Sequence, residues 1–199
     1  MIVLAADQMS YIIKIVLKIG GFHLMMSLLG AIGYIMEGSG LRELLGVMYA
    51  PNTVPHILSG KAYFRAIRGH MLLESVIYDL LMSDAAVNGI DNSDDNLILT
   101  SDEHTAIQDL HTSIISNKAA PINILQLSAL QKTMTIIEHQ KNRLHGQRTA
   151  ALWLQYLDMI AILRKFIKVE RTGSWDQHLE TVYDMLPFFT SSGQQLCKI

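Results

Sequence analysis

Three cations are spaced so that they could follow the phosphates of a nucleic acid. Lys61, Arg65 and Arg68 stand four and three positions apart, which places them on one side of a helix. Such a line can contact a phosphate backbone, although three charges release few counterions. The alternative is the solvated face of an amphipathic helix. We predict these three residues as nucleic-acid-binding, with weak and local contact to DNA.

The other side chains that could do chemistry are scattered along the chain. His104 and His111 lie two helical turns apart with Asp109 between them, which could hold a metal ion, but such residues more often form a solvated surface. Cys197 is the only cysteine, and the sequence has no Gly-x-Ser-x-Gly motif to carry a nucleophile. Asp158 interrupts an apolar helical pattern, so it must be exposed, paired or functional. This pattern predicts no resident metal ion or cofactor.

The net charge is too small for the protein as a whole to attract polyanions by long-range electrostatics. The 199 residues include 16 Lys and Arg against 18 Asp and Glu, for a net charge of −2. A single cysteine allows no internal disulfide, as is usual in reducing compartments. No basic region precedes the first apolar run, so a secretory signal is not expected. We expect an intracellular protein of the nucleus or cytoplasm.

Residues 19–36 form the most apolar stretch of the chain. The stretch carries no charged side chain, and its length is at the lower limit for a membrane-spanning helix. It also contains four glycines, and no second stretch of comparable character follows. We therefore favour a buried helix. The alternative is a small membrane protein that spans at residues 19–36.

Apolar periodicity and helix-ending residues predict a mainly α protein. The predicted helices cover residues 22–37, 41–49, 61–82, 101–116, 124–144, 147–171 and 175–186. A further helix of one to two turns is predicted, capped by Asn52 or Thr53 and ending at Ser59-Gly60. Residues 12–17 could form at most one vestigial strand near the N-terminus. We expect a single domain over residues 1–199, built as an irregular bundle of seven or eight helices. A mobile, exposed loop near residues 84–100 is expected to separate two helical halves.

The sequence also predicts three local features of these helices. Ser101 is expected to cap the helix that follows it, with His104 at the third helical position. Leu80 is expected to belong to the apolar face of the long helix over residues 61–82. Pro187 is expected to end the last helix.

Short motifs spread over most of the chain resemble a poorly characterised family that is multiplied across invertebrate genomes. In the first half these motifs are Gly20-Gly21-Phe22-His23, Gly30-x-x-Gly33, Gly38-Ser39-Gly40-Leu41, Tyr49-Ala50-Pro51-Asn52 and Arg65-Ala66-x-Arg68-Gly69-His70. In the second half they are Trp153-Leu154-Gln155-Tyr156-x-Asp158-Met159, Glu170-Arg171-Thr172-Gly173-x-Trp175 and Met185-Leu186-Pro187-Phe188-Phe189. Members of this family look derived from mobile elements, with a ribonuclease H-like transposase core that a helical region interrupts. This chain resembles the helical region.

The resemblance implies one candidate catalytic residue. Asp7, within Leu4-Ala5-Ala6-Asp7-Gln8, matches an acidic position of the family pattern. In a transposase core, spaced carboxylates hold two divalent ions that activate the nucleophile. The chain looks shortened between Lys14 and Ile15 compared with that pattern, and it departs from the pattern after Gly193. We therefore expect a fragment of a larger protein, without a complete metal site.

The sequence thus favours a noncatalytic helical fragment of a transposon-derived protein. Weak contacts with nucleic acid, with other proteins, or with missing segments of its own parent protein are the expected interactions. The alternative is a residual metal-dependent enzyme that processes phosphodiesters, and only that alternative requires a divalent metal ion.

Overall fold

The computed structural model describes residues 20–88, 99–116 and 123–193, and these ranges contain helices and no strand. The helices are α1 (Gly21–Ile35), α2 (Leu41–Met48), α3 (Val54–Leu58), α4 (Tyr63–Asn88), α5 (Ser101–Ile115), α6 (Ile124–Leu144), α7 (Arg148–Thr172) and α8 (Trp175–Ser191). The predicted mainly α class and the predicted number of helices are confirmed. The vestigial strand was predicted for residues that lie outside the described ranges.

The chain divides into two compact units. The first unit comprises Met1–Ala66 and Ala161–Ile199, and the second comprises Ile67–Ile160. The divisions fall within α4 and α7, and so they do not coincide with the predicted boundary at residues 84–100. Part of that segment is helical, because α4 continues through Asn88.

The core of the first unit is built on one apolar face of α1. Leu24, Leu28 and Ile32 recur at helical spacing and are buried, and α1 packs against α3 and α8. Two glycines allow backbones to approach closely here. A Cβ at Gly33 would overlap the Leu58 carbonyl, and one at Gly60 would overlap the Met26 carbonyl. The small residues in the apolar stretch therefore serve the packing of α1 against the α3 segment.

The apolar stretch was also the basis of the membrane alternative. Its helix, α1, has 15 residues, whereas a membrane crossing needs about 20. Within the described ranges, none of the helices combines the length and the apolar character required to span a membrane.

The second unit contains the hairpin of α5 and α6, which pack against each other. Leu81, Leu154 and Leu157 form a buried apolar cluster between α4 and α7, and Ile77 and Leu144 pack on it. Both helices of the hairpin begin with a capping box, in which the cap residue and the third helical residue exchange hydrogen bonds. The unit therefore has its own core and well-defined helix starts.

The structure corrects the three local predictions. The cap of α5 is Thr100, so the third helical position belongs to Glu103 and not to His104. Leu80 is exposed, and Leu73 and Leu81 supply the buried side of α4 instead. Pro187 lies inside α8, which continues to Ser191 because Met185 and Phe189 pack into the core on either side of the proline.

Candidate functional site

The three predicted nucleic-acid-binding residues are all exposed. Arg65 and Arg68 lie on the first two turns of α4, three positions apart. Lys61 precedes the helix, because α4 begins at Tyr63 and not at residue 61. None of the three forms an ion pair with another described residue.

Three other cations of the described ranges are neutralised by nearby acids. Lys132 Nζ lies 3.0 Å from Glu103 Oε2, and Arg143 forms an ion pair with Asp84. Lys165 donates hydrogen bonds to both Glu180 and Asp184, and the bond to Glu180 is the main reason that the pKa of Lys165 is raised. Lys61, Arg65 and Arg68 differ from these three residues because their charges are not neutralised by a described acid.

A second cationic region lies at the turn between α6 and α7. An open groove of about 660 Å³ follows the first turns of α7, and His145 and Arg148 line one end of it. Asp158, which the sequence singled out, lines this groove and is exposed. Asp158 therefore needs no buried ion pair, and its position in the apolar helix is explained by exposure.

The sequence offered Asp7 as a catalytic residue and favoured a solvated surface over a metal site for His104 and His111. Asp7 lies outside the described residues. His104 and His111 are exposed on α5. The described ranges contain no group of three or more side chains that could hold a metal ion.

A buried polar pair that the sequence did not predict lies in the second unit. His70 and Tyr156 are both fully buried, and His70 Nδ1 lies 2.9 Å from the Tyr156 hydroxyl. Burial lowers the pKa of His70 to about 4 and raises the pKa of Tyr156. His70 Nε2 has no hydrogen-bond partner among the described residues, so protonating the ring would leave a charged N–H unsatisfied. The pair can hold a neutral imidazole in the core.

A second unpredicted group lies in the first unit. His178 is buried on α8, stacks on Trp175 at 5.4 Å, and places Nδ1 2.7 Å from Glu170 Oε1. The Glu170 carboxylate also lies against Gly21, where a Cβ would overlap it. Gly21 is the first residue of α1, and helix N-termini favour negative charge. Glu170 thus connects α7, α8 and the start of α1.

A sequence signal existed for both groups. His70 and Glu74 are one turn apart on the side of α4 that carries Ala66 and Leu73, and a polar pair on an apolar face is a sign of a buried network. The Gly20-Gly21 pair indicated a place where another group approaches the backbone closely. The sequence did not reveal which residue pairs with each, because Tyr156 and Glu170 are distant along the chain from His70 and Gly21.

No curated protein and no solved structure matches this chain significantly. A family model described as a domain of unknown function (DUF8702) matches residues 1–197. Because this match covers nearly the whole chain, the protein belongs to the DUF8702 family.

Proposed function

We propose that this protein is a noncatalytic, intracellular helical part of a transposon-derived protein, and that it contacts nucleic acid weakly. The observation that carries the proposal is the set of three exposed cations Lys61, Arg65 and Arg68, which form no ion pair with other described residues. Cations of this kind can exchange their counterions for phosphates.

The buried polar side chains are engaged in contacts within the fold, which supports a binding role over catalysis. His70 is paired with Tyr156, and His178 is held between Glu170 and Trp175. Glu103 caps α5 and binds Lys132, and the hydrogen bond from the Thr100 N–H is the main reason that its pKa is lowered. Each of these side chains has a structural role in the fold.

The transposon origin is proposed from the sequence motifs. The motifs that resemble the mobile-element family cover most of the chain, and the single cysteine is consistent with a reducing compartment. The origin is tested by the genomic sequence around codons 14, 15 and 199. An open reading frame that encodes further transposase segments is expected, and an unrelated gene would contradict the proposal.

Nucleic-acid contact is tested by fluorescence anisotropy with labelled duplex DNA at low salt. We expect dissociation constants on the order of micromolar or weaker, as for nonspecific binding. Replacing Lys61, Arg65 and Arg68 together by Ala is expected to weaken binding at least tenfold, by rough estimate from the loss of three phosphate contacts.

A matched triple variant separates this surface from a general effect of charge. Arg42, Arg148 and Lys168 are also exposed and form no ion pair with described residues, but they lie on α2 and α7. Their replacement by Ala removes the same charge and is expected to change affinity less than the first triple variant. Equal losses in the two variants, or no binding by the wild type, would refute the proposed contact surface.

A further inference from the structure

Two helices expose apolar side chains in regular lines. On α4, Leu72, Val76 and Leu80 recur every four residues, and Leu80 is 63% exposed. On α8, the exposed residues Trp175, Leu179, Tyr183 and Leu186 recur every three or four residues, and Tyr183 is 73% exposed. We refer to these as the α4 face and the α8 face. The α4 face belongs to the second unit and the α8 face to the first.

Such lines are unusual for a surface helix. Single exposed apolar residues are ordinary, whereas a continuous apolar line indicates an interaction surface. The α4 face extends over about 12 Å and the α8 face over about 16 Å, from a rise of 1.5 Å per residue. The α8 face is therefore long enough to cover the α4 face along its whole length.

The two faces carry opposite charges at the N-terminal ends of their apolar lines. Arg68 lies one turn before Leu72 and forms no ion pair with other described residues. On α8, Asp176, Glu180 and Asp184 follow one flank of the face. Lys165 binds the last two of these acids, and Asp176 forms no ion pair within the described ranges. The charges without a described partner are therefore opposite at the N-terminal ends of the two faces, Arg68 on the α4 face and Asp176 on the α8 face. Asp79 is exposed at the other end of the α4 face.

We propose that the α4 face of one molecule binds the α8 face of a second copy of this chain. This pairing joins two apolar lines of compatible length and places Arg68 at the same end as Asp176, which are opposite charges without a described partner. A homotypic pairing of two α8 faces would offer Asp176 no cation of its own, because Lys165 is already bound to Glu180 and Asp184. The interface is heterologous, so it generates a ring or an open chain.

The wild-type protein is expected to self-associate weakly, because each face has only three or four apolar side chains. Sedimentation equilibrium at about 300 μM should give an average mass at least about twice that of the monomer, the regime of small, transient interfaces. A monomer at this concentration would overturn the proposal.

Two double variants test the two faces separately. Leu72→Gln with Leu80→Gln removes the α4 face, and Leu179→Gln with Tyr183→Gln removes the α8 face. Each double variant is expected to weaken association by at least about tenfold, since central apolar contacts dominate interface energy. All four positions are exposed, so circular dichroism is expected to show an unchanged helix content. The substitutions are uncharged and should leave DNA affinity unaltered, which separates this test from that of the proposed function.

Mixing the two double variants gives the sharpest result. Each retains the wild-type face that the other lacks, so an equimolar mixture is expected to form a dimer, although each variant alone is monomeric. A mixture that stays monomeric, or association that only one of the variants abolishes, would overturn the heterologous interface. The control variant Val47→Gln with Ile124→Gln changes two side chains that are 85% and 88% exposed on other helices. It should associate like the wild type, and a loss equal to that of the face variants would also overturn the proposal.

Discussion

At the scale of single residues, His70 shows how the fold disfavours the protonation of a titratable side chain. Its imidazole is fully buried against the Tyr156 hydroxyl, and Nε2 has no acceptor among the described residues. Glu74, also buried, is the acid one turn further along α4. The neutral form of His70 is therefore strongly favoured in the folded chain.

The lowered pKa of His70 predicts a stability that depends on pH. The folded pKa is about 4 and the unfolded value is 6.5, so the unfolded chain binds more protons between these values. The stabilising effect of the neutral form is complete above pH 6.5 and is lost as the pH falls towards 4. We expect this residue to account for a loss of about 3 kcal/mol over that range, from 1.36 kcal/mol per unit of pKa. Urea unfolding at pH 7 and pH 4.5 measures most of this loss.

The variant His70→Gln provides the control for this measurement. Glutamine can still bond to Tyr156 but does not titrate, so the variant is expected to be less stable at pH 7 and less sensitive to pH. If the wild type and the variant lose the same free energy of unfolding between pH 7 and pH 4.5, His70 is not the responsible group.

Gly21, like Gly33 and Gly60, is a residue whose identity is fixed by a neighbour. A Cβ at this position would displace the Glu170 carboxylate, which lies 2.7 Å from His178. We expect Gly21→Ala to reduce the free energy of unfolding by about 2 kcal/mol, within the range for breaking a buried polar network. At Gly20, the cap of α1, a Cβ would make only an ordinary contact of 3.7 Å with His23, so Gly20→Ala should cost less, under about 1 kcal/mol, roughly the difference between Gly and Ala at a helix cap. Thermal or urea unfolding of both variants compares them, and equal effects would contradict the role given to Glu170.

At the scale of helices, the start of α5 depends on one cap. The Thr100 hydroxyl accepts the Glu103 N–H, and the Glu103 carboxylate accepts the Thr100 N–H at 2.8 Å. We expect Thr100→Ala to cost about 1 kcal/mol of stability, the typical value for losing a cap. Ser101→Ala changes an exposed residue whose side chain does not cap the helix, so its effect should stay within about 0.5 kcal/mol. Urea unfolding measures both effects. A larger loss of stability for Ser101→Ala than for Thr100→Ala would mean that Ser101 caps α5, as expected from the sequence.

The helix boundaries show which features could be predicted from the sequence. Residues 124–144 are helical as predicted. Apolar periodicity indicated the helix, and the region of Gly146 marked its C-terminal end. The end of α8 was predicted wrongly, because Pro187 is tolerated where Met185 and Phe189 anchor the helix in the core. Local signals predict helices well, but tertiary packing decides whether a local breaker ends one.

The candidate residues show the same division. The common side of Arg65 and Arg68 could be anticipated from their spacing on one helix, whereas Lys61 was wrongly placed on that helix, which begins at Tyr63. The pairings of His70 with Tyr156 and of Glu170 with His178 could not, because they join residues from separate helices. Partner identity in a helical bundle depends on packing that the periodicity of one helix does not contain.

At the scale of the whole molecule, the net charge of −2 decides how nucleic acid can bind. The protein as a whole does not attract a polyanion, so binding depends on the few cations that form no ion pair. Three phosphate contacts by Lys61, Arg65 and Arg68 predict a slope of about −2.7 for log K against log salt concentration, from −0.9 per contact. Affinity should then fall about 40-fold between 50 and 200 mM salt. Anisotropy titrations over this range measure the slope, which should approach zero when the three residues are replaced by Ala. A slope near −6 or steeper in the wild type would mean that a larger cationic surface than these three residues contacts the DNA, by the same relation of about 0.9 per phosphate.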